Sequence, residues 1–193
     1  MSSFPIWLPI AIIVAILLLG LVLIYNRLVR ARAQVQEGWS GIKVQLRRRA
    51  DLVPNLVTTV EGYAAHERGL LNEVTVLRGE TLKAASPGDA AQADAALGGV
   101  LGRLLVVAEA YPELKADANF RSLQDELAAV ETELQGARRY YNATVRDLNA
   151  RIASFPDMLI ARPLGFHAAP FFQDDDPTIE KAPVVRFGTK PAA

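Results

Sequence analysis

No Asp, Glu, Lys, Arg or His occurs between Met1 and Asn26, and Ile6 to Ile24 is a nineteen-residue run built almost wholly of Ile, Leu, Val and Ala. At 1.5 Å per residue such a helix is about 28 Å long, close to the hydrocarbon thickness of a bilayer. Trp7 and Tyr25 stand at its two ends, where amphipathic rings favour the membrane–water interface. Pro5 and Pro9 fall in or near the first turn, where a missing N–H costs least. The competing reading is a cleaved signal peptide. That needs a basic start, a shorter apolar core and a small-residue cleavage site. Nothing before Trp7 is charged, and the run ends in Leu23-Ile24-Tyr25-Asn26. The expectation is a single transmembrane helix bounded by Ile6, Trp7, Ile24 and Tyr25. Arg27, Arg30 and Arg32 follow it and no Lys or Arg precedes it. The positive-inside rule then places the N-terminus outside and the remainder in the cytoplasm, on a cell (inner) membrane.

Beyond Arg27 the apolar residues repeat with helical period, and strand alternation is almost absent. Val35, Trp39, Ile42 and Leu46 form one face, with no Gly or Pro between Leu21 and Glu37. The first body helix therefore reads as a continuation of the membrane helix. Pro54 marks either a kink or a turn, with Asp51 as cap of a new helix. A second helix is expected from about Pro54 to Leu82, with Val57, Val60, Ala64, Leu71 and Val74 on one face. A turn follows at Ala84 to Asp89. The third helix runs from about Ala91 to Ala110, with Leu97, Leu101, Leu104 and Ala108 inward, and Tyr111-Pro112 ends it. The fourth carries the clearest pattern: Phe120, Leu123, Leu127, Val130, Leu134, Ala137 and Tyr141 step by 3 and 4, in coiled-coil fashion. Asn119 or Asp117 caps it and Phe155-Pro156 stops it.

The fold class is all-α: a transmembrane helix continuing into an antiparallel up-down four-helix bundle, then an irregular tail. The segments are 1–26 (exterior N-terminus and span), 27–154 (bundle) and 155–193 (extended or partly disordered tail). Phe166, Phe171 and Phe172 are the tail residues suited to docking on the bundle or touching lipid.

Several stretches resemble the LemA family. They begin with Tyr25-Asn26-Arg27-Leu28-Val29 and Trp39-Ser40-Gly41-Ile42-Lys43, leading into Arg47-Arg48-Arg49-Ala50-Asp51-Leu52-Val53-Pro54-Asn55. Gly62-Tyr63-Ala64-Ala65-His66-Glu67, Tyr111-Pro112-Glu113-Leu114-Lys115, Asn119-Phe120, Tyr141-Asn142 and Phe155-Pro156 follow in order. One departure is Leu148-Asn149, where the family tends to repeat Tyr-Asn. The resemblance implies an N-terminal membrane helix and a cytoplasmic helical bundle. It carries no catalytic residue over.

Chemistry is sparse. There is no cysteine, which removes disulfides and thiol catalysis, and Lys+Arg balance Asp+Glu at 21 each, which gives no electrostatic case for nucleic acid. His66 lacks a second His four residues on, and no Glu-x-x-His pair exists for a di-metal site. No G-x-S-x-G elbow or P-loop is present. The expectation is a non-enzymatic protein without catalytic, cofactor-binding or metal residues. Its partners are the lipid bilayer, a protein and a possible second copy of itself.

An up-down bundle brings the end of the first helix near the turn after the third. Arg47, Arg48, Arg49, Asp51 and Asn55 are then expected beside Glu113, Lys115 and Asn119, forming a charged tip for a protein partner. The alternative is ordinary helix caps and surface ion pairs. The functional reading is a membrane-anchored scaffold or adaptor. A membrane-organising or remodelling oligomer is the second reading, and a membrane-bound hydrolase or metal enzyme the third.

Overall fold

The computed structural model describes residues 7–64 and 66–172, all helix and connecting turns, with no strand among them. Helix α1 spans Trp7–Tyr63, 57 residues without a break, or about 86 Å at 1.5 Å per residue. Its first third stands alone, with every residue from Trp7 to Leu19 exposed, and the rest forms the spine of the body. That apolar stretch is long and apolar enough to cross a membrane. Ile6 lies outside the described residues.

Pro54 sits inside α1, so the chain does not turn there. The second helix expected from Pro54 to Leu82 is instead split between the top of α1 and α2 (Arg68–Lys83). The physical reason lies on the neighbouring helix. A proline at position 54 leaves the carbonyl four residues back, that of Ala50, without its N–H donor. Arg78 of α2 donates its Nε–H to that oxygen at 2.7 Å. The guanidinium therefore replaces the hydrogen bond that proline removes, and α1 runs nine residues further.

Helix α3 spans Pro87–Ala108, and α4 is the short turn Pro112–Ala116. Helix α5 covers Ala118–Ala153 and α6 Met158–Ala161. Ser86 caps α3 by accepting from Asp89 N–H at 3.1 Å, just ahead of Pro87, as the turn signature there implies. Of the two cap candidates for α5, Asp117 takes the position: its Oδ1 accepts from Phe120 N–H at 2.9 Å.

The buried residues form two main clusters. The upper one joins Val53, Leu56 and Val60 of α1 to Leu71 and Val74 of α2, Leu97 and Leu104 of α3, and Phe120 of α5. The lower one is built mainly by α1 and α5, through Ala31, Ile42, Leu46, Leu134, Tyr141 and Leu148. The contacts between those two helices pair Tyr63 with Asp117, Arg49 with Glu131, and Gly38 with Tyr141. At Gly38 the helices nearly touch: a Cβ there would lie 3.1 Å from the Tyr141 Cα. Glycine fits this approach without strain, whereas any side chain would push the two backbones apart by at least a few tenths of an ångström.

The chain after α5, expected to be irregular from 155, first forms the short helix α6 and then follows an irregular but packed course up to Phe172. Phe166 and Phe172 are both buried, whereas Phe171 is exposed. Phe166 joins Leu28 and Ala161 in a third cluster at the foot of the body, and its ring meets that of Tyr25 edge-on at 6.0 Å. The part of the expected tail from 173 to 193 lies outside the described residues.

Candidate functional site: a cleft with a charged floor

Around the upper body, α1 packs on α2, α2 on α3 and α1 on α5. Helices α3 and α5 barely meet, and a cleft of about 610 Å³ lies between them. Its α3 wall carries small residues, Ala95, Gly98 and Gly102, and its α5 wall carries Gln124, Leu127 and Ala128.

Four charged side chains close its lower end. Arg49 of α1 donates to Asp94 Oδ1 of α3 at 2.7 Å, and Arg138 of α5 pairs with the other carboxylate oxygen. Asp94 is 1% exposed. Two guanidiniums around a buried carboxylate satisfy both of its oxygens, which offsets the cost of taking it out of water. Glu131 Oε2 lies 3.1 Å from Arg49 Nη1, which balances the second positive charge. Gly98 makes room for this: a Cβ there would stand 3.3 Å from an Arg49 guanidinium nitrogen. Among the described residues, Arg138 Nε is buried without a hydrogen-bond partner. Helix α3 matches the length and hydropathy of a membrane span. Its Asp94 pair with α1 and α5 instead ties it into the body.

The residues proposed as a charged tip are distributed differently. Arg47, Arg48 and Asp51 are exposed along α1. Arg49 points inward to Asp94, fourteen residues before Tyr63, or about 21 Å from the top of α1. Asn55 and Asn119 line one shallow groove, so this part of the pairing is brought together. Glu113 and Lys115 are exposed on α4. The real tip is Tyr63, whose hydroxyl donates to Asp117 Oδ2 at 3.0 Å. That bond raises the Tyr63 pKa. The Phe120 N–H bond, first among several causes, holds the Asp117 carboxyl below its ordinary value. Trp7 is exposed and Tyr25 is partly covered by Phe166, so both ends of the apolar stretch carry an amphipathic ring. Ile24 packs beside Leu28.

Sequence reasoning missed Asp94 and Arg138, and also Asn142 and Asn149 of α5, which hydrogen-bond the backbone of Phe172 and Ala169. A signal existed for the first. Asp94 falls on the same helical stripe as Ala90, Leu97 and Leu101, where an unpaired acid would be intolerable.

The model of the LemA family matches residues 38–187, more than half of the chain. The chain belongs to the LemA family. It is 26% identical over 176 residues to magnetosome protein MamQ 2 of Paramagnetospirillum magneticum, covering 78% of this chain and 65% of that relative. The chain therefore spans slightly less than two thirds of that relative's length. It is 24% identical over 199 aligned positions to magnetosome protein MamQ of Magnetospirillum gryphiswaldense, covering 86% and 73% of the two chains. Protein LemA of Metamycoplasma hominis is 25% identical over 152 residues, covering 77% and 68%.

Proposed function

We propose that this LemA-family protein is a membrane-anchored, non-enzymatic scaffold or adaptor that presents its helical body for protein–protein interaction or self-assembly. In this reading the apolar part of α1 spans the inner membrane, with the N-terminus outside. The body stands in the cytoplasm as an up-down-up-down bundle of α1, α2, α3 and α5. The observation that carries the reading is the continuity of α1 from the apolar stretch into the core. One uninterrupted helix fixes the height and direction of every surface above the bilayer, which a flexible tether does not. Holding that surface at the membrane raises local concentration and makes weak contacts effective. Arg47, Arg48 and Asp51 are the exposed charged residues of α1 best placed for a partner, with Asn55, Asn119, Glu113 and Lys115 above them.

The test combines size with contact. Full-length protein in detergent is sized by light scattering beside the chain beginning at Arg27, and a photocrosslinker at position 48 is activated in intact membranes. A discrete adduct, with a second copy or one other protein, is the expected result. A monomeric full-length protein giving no adduct would remove the reading. The MamQ relatives, named as magnetosome proteins, favour membrane organisation as the second reading. Its mark would be a regular oligomer in lipid that deforms vesicles.

A further inference from the structure

Two asparagines on α5 hold the chain that follows it. Asn149 accepts from Ala169 N–H at 2.8 Å and donates to Ala169 O at 2.9 Å. Asn142 treats Phe172 in the same way, at 2.9 and 3.0 Å. Each carboxamide thus reads both backbone groups of one residue, as a neighbouring strand would. The spacing explains the pattern. Seven helical residues rise about 10.5 Å, and three extended residues cover about 10 Å, so rungs seven apart on the helix meet residues three apart on the tail. The tail runs from the foot of the body toward its top. Phe172, the last described residue, lies in the cleft between α3 and α5 with the Arg138 guanidinium 5.1 Å from its ring centroid.

We infer that the cleft is the docking site of this chain's own C-terminal segment, beginning at Gln173. Four observations support this occupant. The next position seven residues back on α5 is Gln135, another carboxamide, and it is exposed. Continuing the register of seven helical residues to three tail residues pairs this position with residue 175 under the proposal. The first residues past Gln173 are Asp174, Asp175 and Asp176, three carboxylate acceptors in the sequence that follows Phe172, and the buried Nε of Arg138 beside Phe172 has no partner among the described residues. The cleft from Arg138 to Gln124 is about 21 Å long, the reach of six or seven extended residues, which brings Ile179 to the end lined by Leu101, Leu105 and Leu127. The family match also continues to residue 187, fifteen positions past Phe172.

The absence of cysteine makes a clean test. Full-length protein in detergent micelles carries Gln135→Cys with Asp175→Cys, or Ala128→Cys with Thr178→Cys. The reference pair is Glu133→Cys with Asp175→Cys, since Glu133 is exposed at the height of Gln135 on another face of α5. A disulfide needs its Cα atoms within about 7 Å. Under mild oxidation both register pairs are expected to close within one chain, about tenfold or more faster than the reference pair, because docking raises their effective concentration. Equal rates would overturn the proposal, since a tethered but undocked tail reaches both faces of α5 at that height alike. Disulfides between chains would overturn it as well, and would assign the cleft to a second copy.

Discussion

Helix α5 faces two long neighbours in opposite ways. Against α1 it is sealed, with Gly38 letting the backbones approach until a Cβ would lie 3.1 Å from Tyr141 Cα. Toward α3 it is open, although α3 offers more small residues, among them Ala95, Gly98 and Gly102. Small residues permit close approach but do not compel it. On the open side, two arginine side chains reach across to Asp94 and hold the helices apart at a polar spacer. On the sealed side, apolar side chains interdigitate from Ala31 to Leu46 of α1 and from Leu134 to Leu148 of α5.

The largest effect should come from cutting the spacer. Asp94→Ala leaves Arg49 and Arg138 largely buried without their shared carboxylate, and urea unfolding in micelles should show a loss of about 3–5 kcal/mol. Replacing all three together, Asp94→Leu with Arg49→Met and Arg138→Met, should restore most of it and let α3 approach α5. A loss under about 1 kcal/mol for Asp94→Ala would mean that water already serves these arginines, and the contrast between the two sides would fail.

The glycines sharpen the same contrast. Gly38→Leu forces a side chain into backbone and should cost about 2–3 kcal/mol. Gly102 has nothing within 4 Å of a Cβ, so Gly102→Leu should be neutral or stabilise by up to about 1 kcal/mol through helix propensity. Equal losses at both sites would mean that α3 and α5 close in solution.

Arg78→Met should cost about 1–2 kcal/mol by leaving the buried Ala50 carbonyl unpaired. In a Pro54→Ala background the restored N–H supplies the missing donor, and the loss should largely vanish. A double-mutant cycle reads this coupling directly.

The smallest effect concerns pH at the top of the sealed seam. Asp117 has its pKa lowered from 3.8. Its contribution is therefore complete above that value and is lost as pH falls through the lower folded value. Asp117→Asn keeps a cap acceptor but cannot titrate. The difference in stability between the two proteins should shrink as pH falls below 3.8 in an acid titration followed by circular dichroism.

The heptad of α5 was legible because every member from Phe120 to Tyr141 serves one continuous face, and a local pattern suffices to describe such a face. The turn at Ser86-Pro87 and the stop at Phe155-Pro156 were legible for the same reason: cap and breaker chemistry acts within four residues. The arginine-rich stretch misled. Arg47, Arg48 and Arg49 look alike in sequence, yet helical rotation turns the third toward Asp94 while the first two stay in solvent. The stripe of Val35, Trp39, Ile42 and Leu46 continues at position 49, but the partner that lets an arginine sit there lies 45 positions away.

Sequence alone determined the long apolar helix, the all-helical body and the family, since these depend on side-chain period, span length and residues in order. Tertiary structure decided where α1 ends, which arginine is buried and where the tail runs. In each case a polar group answers a need set by a distant backbone: Arg78 the carbonyl freed by Pro54, Arg49 and Arg138 the carboxylate of Asp94, and Asn142 and Asn149 the unpaired amides of the tail. Buried polar atoms must find partners wherever the fold brings them, and only the assembled chain names those partners.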